Sequence, residues 1–233
     1  MMIDQTSPLF DCNTCLFRLL TCQYVTPDEF EPIRKASVQL HFKKGETIFK
    51  QGTKSTHLVF LHKGIVKFID EVDAGKDFIL AIVKGPKLLG ASNLFFKENN
   101  VLSLVAVEEC DICMIDQKLL MSAAVKHGEL LLAMCERSIE MFQASIFNFI
   151  SLAHKQVHGR IADILIYLWE NVYKDKEYEF VLSRKEVAEF AACSHENAIT
   201  TLSKFNKEGL ITLRGKKIII NDIEKLYTIS KIG

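Results

Sequence analysis

Glu196, Asn197 and Thr200 are the side chains of this sequence best suited to chemistry, and that chemistry is hydrogen bonding to nucleic-acid bases. A glutamate carboxylate accepts from the N4 amino group of cytosine, and an asparagine amide pairs with adenine through two hydrogen bonds. His195 lies beside them. Thr201, Ser203 and Lys204 follow within one helical turn and suit phosphate oxygens, which position a protein without carrying sequence information. Arg214, Lys216 and Lys217 add positive charge shortly afterwards. Ser183 and Ser194, each placed to open a helix, complete the set expected to face DNA.

The elements that must hold these residues are legible around them. Ser183 followed by Glu186 is a capping box, which satisfies free backbone donors at a helix start. Val187, Phe190 and Ala191 are predicted to line the inward face of that first helix, and Ala192-Cys193-Ser194 the turn. Ser194 caps the next helix, in which Ala198, Ile199 and Leu202 are predicted to pack inward. After Gly209, residues 210–220 predict a hairpin with a basic tip, a wing beside the second helix. Two short helices joined by a tight turn are the layout that enters the major groove. Total charge is balanced, 29 basic against 29 acidic, yet between Thr200 and Ile220 the basic residues Lys204, Lys207, Arg214, Lys216 and Lys217 face Glu208 alone. A local basic patch on a neutral chain suits a selective reader of DNA.

Upstream the pattern changes twice. Residues 38–116 are rich in Val, Ile, Leu and Phe and are punctuated by glycines at 45, 52, 64, 75, 85 and 90, predicting a jelly roll of short strands. From Leu132 the apolar residues Leu132, Cys135, Ile139, Phe142, Ile146, Phe149 and Ala153 recur in alternating steps of three and four, a heptad seam expected to meet a second copy of the chain. A second amphipathic helix is expected over 154–173, with a hinge near 153–158. The expected class is α+β: a sensor domain over 1–127, a dimerisation helix over 128–153 and a winged helix-turn-helix over 154–233.

The start of the chain shows no signal-peptide pattern and no apolar run reaches the roughly 18 residues of a membrane span. Seven cysteines, an odd number, argue against a secreted disulfide framework and for a reducing cytoplasm. Gly85 and Gly90 have the spacing of half a phosphate loop, but Ala91-Ser92 follows where Lys-Ser/Thr is needed, and no other enzyme motif appears. The chain is expected not to be an enzyme.

Together these features resemble the catabolite-activator and fumarate–nitrate-regulator (CRP/FNR) superfamily over nearly the whole chain. The resemblance rests on Lys44-Gly45-Glu46, Gln51-Gly52 and Lys63-Gly64 in the β region, the long helix, His158-Gly159-Arg160-Ile161-Ala162 and the winged helix-turn-helix. It implies a cyclic-nucleotide-binding-like β-roll, a homodimer on palindromic double-stranded DNA, and recruitment or blocking of RNA polymerase. It also implies that Glu196 reads a base, that His195 stands where many members carry arginine or valine, and that Thr200 replaces a guanine-reading arginine. Losing that arginine forfeits about 1–3 kcal/mol of discrimination at one base pair, so a different operator is expected. A sensor of the same build acting only through protein contacts is the alternative from another class.

The resemblance also frames the signal. Cyclic-nucleotide members carry a Gly-Glu pair and, about ten residues later, Arg-Ser or Arg-Thr. The matching effector-pocket residues are Gly90, Ala91 and Ser92, then Leu102 and Ser103, so both charged ligands are missing and cyclic AMP is not the expected effector. Oxygen-sensing members hold a [4Fe–4S] cluster on four thiolates, to which Cys12, Cys15, Cys22 and Cys113 correspond, with one extra residue between Cys15 and Cys22. Cys110 and Cys113, three apart on a strand, point to opposite faces, so Cys110 cannot join them. Cys15, Leu19 and Cys22 also share one face of a helix, as buried thiols would. Cluster, inert or redox-active thiols, and another ligand such as haem all stand open.

Overall fold

A computed structural model describes residues 9–72, 77–90, 98–174, 177–179, 182–215 and 217–233. The chain divides into two compact units, one of residues 1–66 and 84–142, the other of residues 67–83 and 143–233.

The strands between residues 38 and 116 make a jelly roll: β1 (Val38–Phe42), β2 (Thr47–Phe49), β3 (His57–Lys63), β4 (Ile65–Asp70), β5 (Phe78–Lys84), β6 (Lys87–Leu89), β7 (Ser103–Ala106) and β8 (Cys110–Asp116), with most of β4 and β5 counted in the second unit. They form two four-stranded sheets, ordered β1-β8-β3-β6 and β2-β7-β4-β5. In β3 and β4 the residues from Leu58 to Leu61 and from Ile65 to Ile69 are buried without interruption, as expected of strands covered on both faces. The sequence is helical ahead of and behind this barrel. Short α1 (Leu16–Thr21) precedes α2 (Pro27–Ala36), which begins with a capping box between Thr26 and Glu29 and a proline at its first position. Phe17, Phe30 and Ile33 from these helices join Leu58, Phe60, Cys113, Ile115 and Leu120 in one apolar cluster. After β8, Asp116 caps α3 (Gln117–Lys126) by accepting from the Leu119 N–H at 2.9 Å.

Helix α4 (Gly128–His154) is long and unbroken, 27 residues. Leu132, Ile139, Phe142, Ile146, Phe149 and Ile150 are exposed along it, and Cys135 is half-buried. The apolar residues at heptad spacing along this helix are thus exposed on the single chain.

The second unit begins where α4 ends. Helix α5 (Val157–Tyr167) runs into a π-helical turn (Leu168–Tyr173) and packs against the last helix, α8 (Ile223–Ile232). Asp163 binds the two together. It accepts from Ser151 and Ser230 and forms an ion pair with Lys155 at 2.7 Å, while Lys155 donates to Ser230 at 3.0 Å. A short strand, β9 (Glu177–Glu179), joins the wing strands β10 (Ile211–Arg214) and β11 (Lys217–Ile220) in a sheet ordered β10-β11-β9, a pairing that the polar run of 174–179 did not announce. The unit also takes in residues 67–83, which the sequence pattern assigns to the sensor. Asn148 donates to the Leu80 carbonyl at 3.2 Å, Tyr167 to the Ile82 carbonyl at 2.6 Å, and Lys67 to Glu186 at 2.7 Å. Among the described residues no helix is long and apolar enough to cross a membrane.

Candidate nucleic-acid interface

Two helices and a hairpin position the residues predicted to face DNA. Helix α6 (Arg184–Phe190) is capped by Ser183, whose hydroxyl accepts from the Glu186 N–H at 3.2 Å while Glu186 accepts from the Ser183 N–H at 2.6 Å. Val187 and Phe190 are buried beneath it, as is Ala191 just after it. The chain then turns at Ala192, which adopts the left-handed conformation at φ 46°. Arg160 braces this turn, its guanidinium donating to the Ala191 and Ala192 carbonyls at 3.4 and 3.3 Å. Ser194 opens α7 (His195–Lys207) by accepting from the Asn197 N–H at 3.1 Å. The uncapped donors of a helix start and its positive dipole end favour a nearby phosphate.

On α7 the residues His195, Glu196, Asn197, Thr200, Ser203 and Lys204 are exposed. Glu196, Thr200 and Ser203 stand three and four residues apart and so share one face. Two assignments from the sequence are corrected here. Thr201 is only 2% exposed and packs inward with Ala198, Leu202 and Phe205 rather than facing phosphate. It lies three residues after Ala198 and four before Phe205, and the helical period carries all three to the same side. Ile199, expected inward, is 41% exposed among the exposed polar residues of this helix.

The wing follows. Strands β10 (Ile211–Arg214) and β11 (Lys217–Ile220) pair antiparallel with Arg214 opposite Lys217, and Gly215 at the tip has φ 61°. Asn206 and Asn221 fasten it. Asn206 accepts from the Leu213 N–H at 2.8 Å, and Asn221 donates to the Gly209 carbonyl at 3.1 Å. Arg214 and Lys217 are exposed at the tip, while Lys216 lies outside the described residues. Asn206 and Asn221 were not singled out from sequence; an asparagine flanking a hairpin carries no spacing signal of its own.

The effector positions are only partly on view, because Ala91 and Ser92 lie outside the described residues. Gly90 is buried with φ 84°, Leu102 is half-buried, and Ser103 is buried with its hydroxyl accepting from the Gln51 N–H at 2.9 Å. The cysteines divide. Cys12 accepts from the Gln39 amide at 3.2 Å, Gln39 pairs across the sheet with Cys113, and Cys15 lies in the same apolar cluster as Cys113. Burial pushes the Cys113 thiol up to about 12, the neighbouring Cys15 and Cys12 adding to the effect against a hydrogen bond with Ser37. Cys22 closes α1 and packs at the edge of the cluster. Among the described residues no three His, Cys, Asp or Glu side chains are grouped so as to hold a metal ion. Cys110 is buried on the other face of β8 and donates to the Ile65 and Glu108 carbonyls, both at 3.3 Å.

Comparison with known proteins gives this geometry its context. The family model for the cyclic nucleotide-binding domain matches residues 39–127, and that for the Crp-like helix-turn-helix domain matches residues 159–229. A CRP-like cAMP-activated global transcriptional regulator of Mycobacterium tuberculosis is 23% identical over 208 residues, covering 88% of this chain and 93% of the relative. Among solved structures, a transcriptional regulator of the CRP/FNR family from Eubacterium rectale superposes with a TM-score of 0.73 at 18% identity, covering 89% of this chain and 95% of that one. The c-di-GMP responsive global regulator CLP of Xanthomonas campestris superposes with a TM-score of 0.71 at 21% identity, covering 83% and 98%. A nucleotide-binding-type jelly roll followed by a Crp-like reader, with relatives matched along nearly their whole length, places this chain in the CRP/FNR superfamily of transcription regulators.

Proposed function

We propose that this regulator works as a homodimer in the cytoplasm, reads a palindromic double-stranded DNA site, and alters transcription through RNA polymerase in response to a signal received by the jelly roll. The observation that carries the proposal is the outer face of α7, where Glu196, Asn197 and Thr200 are exposed together on a capped helix beside a wing tipped by Arg214 and Lys217. Selection of binding sites from a random DNA pool should return a two-fold symmetric sequence. Affinity for it should fall with salt by a log–log slope of about −0.9 for each phosphate contacted. Failure to enrich any sequence would overturn the proposal and favour a regulator acting by protein contacts alone.

The effector we propose is not cyclic AMP. The M. tuberculosis relative is cAMP-activated, but here Ala91 and Leu102 stand where a carboxylate and a guanidinium would hold ribose and phosphate. Adding cyclic AMP should leave DNA affinity unchanged. A thiol signal is the second reading, favoured by Cys12, Cys15 and Cys113 lying close together beside the β1-β8 pair, with Cys22 at the edge of the same cluster. Protein purified without oxygen should be colourless with seven titratable thiols. Broad absorption near 400 nm with about four irons per chain would overturn it in favour of a cluster.

A further inference from the structure

Ile199 is the large apolar side chain that α7 leaves in water, 41% exposed, with Ala198, Thr201, Leu202 and Phe205 buried on the opposite side. It belongs to a stripe of exposed residues three and four apart, Glu196, Ile199, Thr200 and Ser203. Every other member of that stripe has a group that can hydrogen-bond. Solubility and helix propensity both argue against isoleucine at such a place, since β-branching restricts its side chain on a helix and leaves it a weaker helix former than alanine or leucine.

From this position we infer that Ile199 reads a thymine through its C5-methyl group. The inference rests on the proposal that α7 enters the major groove. The edges of the bases offer donors, acceptors and, on thymine alone, a methyl group. A side chain with neither donor nor acceptor distinguishes bases only through that methyl, by removing it from water and by meeting a polar edge unfavourably elsewhere. The restricted rotamer that weakens isoleucine as a helix former helps here, because little side-chain freedom is left to lose on contact. Glu196 stands one helical turn earlier and is suited to a cytosine amino group. Side chains on adjacent turns are about 5–6 Å apart and base pairs rise about 3.4 Å, so the thymine lies within about two base-pair steps of that cytosine.

The test uses the full chain and the site selected from random DNA. Each recurring thymine is replaced in turn by deoxyuridine, which removes only the methyl, and affinity is measured for the native protein, Ile199→Val and Ile199→Ala. At one symmetric pair of thymines the native protein should lose about fourfold in affinity per half-site, the worth of one buried methyl-sized group. Ile199→Val should keep most of this sensitivity, and Ile199→Ala should bind both DNAs equally while keeping the native salt slope. An exposed residue leaves folding unaffected, which circular dichroism of Ile199→Ala verifies. Methyl sensitivity at no thymine, or equal sensitivity in Ile199→Ala, overturns the inference while the DNA-reading proposal stands. If no site is selected, both fall.

Discussion

At Gly64 the backbone has φ 104°, and a Cβ built there would lie 2.6 Å from both Cys110 Sγ and the Glu109 carbonyl oxygen. The glycine joins β3 to β4 and is itself buried, as are Ile65 and Val66 after it, and the Glu109 oxygen it would meet is backbone, so room is not made by moving a flexible side chain alone. A positive φ costs a side-chain-bearing residue about 1–2 kcal/mol, and forcing atoms into a filled core costs about 1–3 kcal/mol more. Gly64→Ala should therefore lower unfolding stability by about 2–5 kcal/mol, seen as an earlier denaturant midpoint; a change under about 0.5 kcal/mol would mean that the turn relaxes freely. Lys63-Gly64 is legible in the sequence as a turn, because glycine is the residue that such a backbone demands. Ala192 is the contrasting case. It takes a left-handed conformation without being glycine, held there by the Cys193 N–H donating back to the Ala188 carbonyl at 3.0 Å and by the Arg160 guanidinium on the Ala191 and Ala192 carbonyls, 31 and 32 residues away in sequence. The misreading of Thr201 and Ile199 has the same root: residue type marked one as polar and one as apolar, and only the phase of the helix decides which faces water.

Helix α6 shows what an element gains from a distant residue. Its capping box was visible from Ser183 and Glu186 alone, but Glu186 also accepts from Lys67 at 2.7 Å, with the two side chains only 11% and 17% exposed. Nothing in local spacing announces a partner 119 residues away. Burial by itself pushes the Glu186 carboxyl up; hydrogen bonds from Lys67 and Ser183 outweigh it and leave the group below the usual carboxylate range. A carboxylate depressed in the folded state contributes stability above its unfolded value of about 4.3, and that contribution is lost as pH falls through the folded value. Glu186→Gln keeps the cap, since glutamine serves equally in a capping box, and leaves Lys67 facing a neutral group. At pH 7 it should destabilise the second unit by about 1–3 kcal/mol, with the gap from the native protein narrowing as the buffer is taken well below pH 4. Trp169, the only tryptophan, lies in this unit and reports its unfolding by fluorescence. An equal gap at both pH values would show that the charge on Glu186 contributes nothing.

For the molecule as a whole, the governing feature is the apolar stripe on α4. The heptad steps from Leu132 to Ala153 were readable because an exposed seam and a buried one follow the same period. What the sequence left undecided was whether the seam closes within the chain. The structure leaves Ile139 56% and Phe142 64% exposed, so no other part of the described chain covers them. Two such helices laid together would bury each phenylalanine, worth about 1.5–3 kcal/mol per side chain, and symmetry counts the residue twice. Phe142→Glu replaces that gain with two carboxylates brought close together. The dimer dissociation constant should rise by about a thousandfold or more, since each 1.4 kcal/mol is a factor of ten. Sedimentation equilibrium measures this directly, and Phe142→Leu, which keeps an apolar group of similar volume, should stay a dimer. The same substitution reaches DNA binding without touching α7. A monomer places one recognition helix and loses the second half-site, whose binding is intramolecular in the dimer. Phe142→Glu should therefore weaken binding to the full palindrome far more than to an isolated half-site, and a monomeric variant that still bound the palindrome with native affinity would refute the dimeric reader.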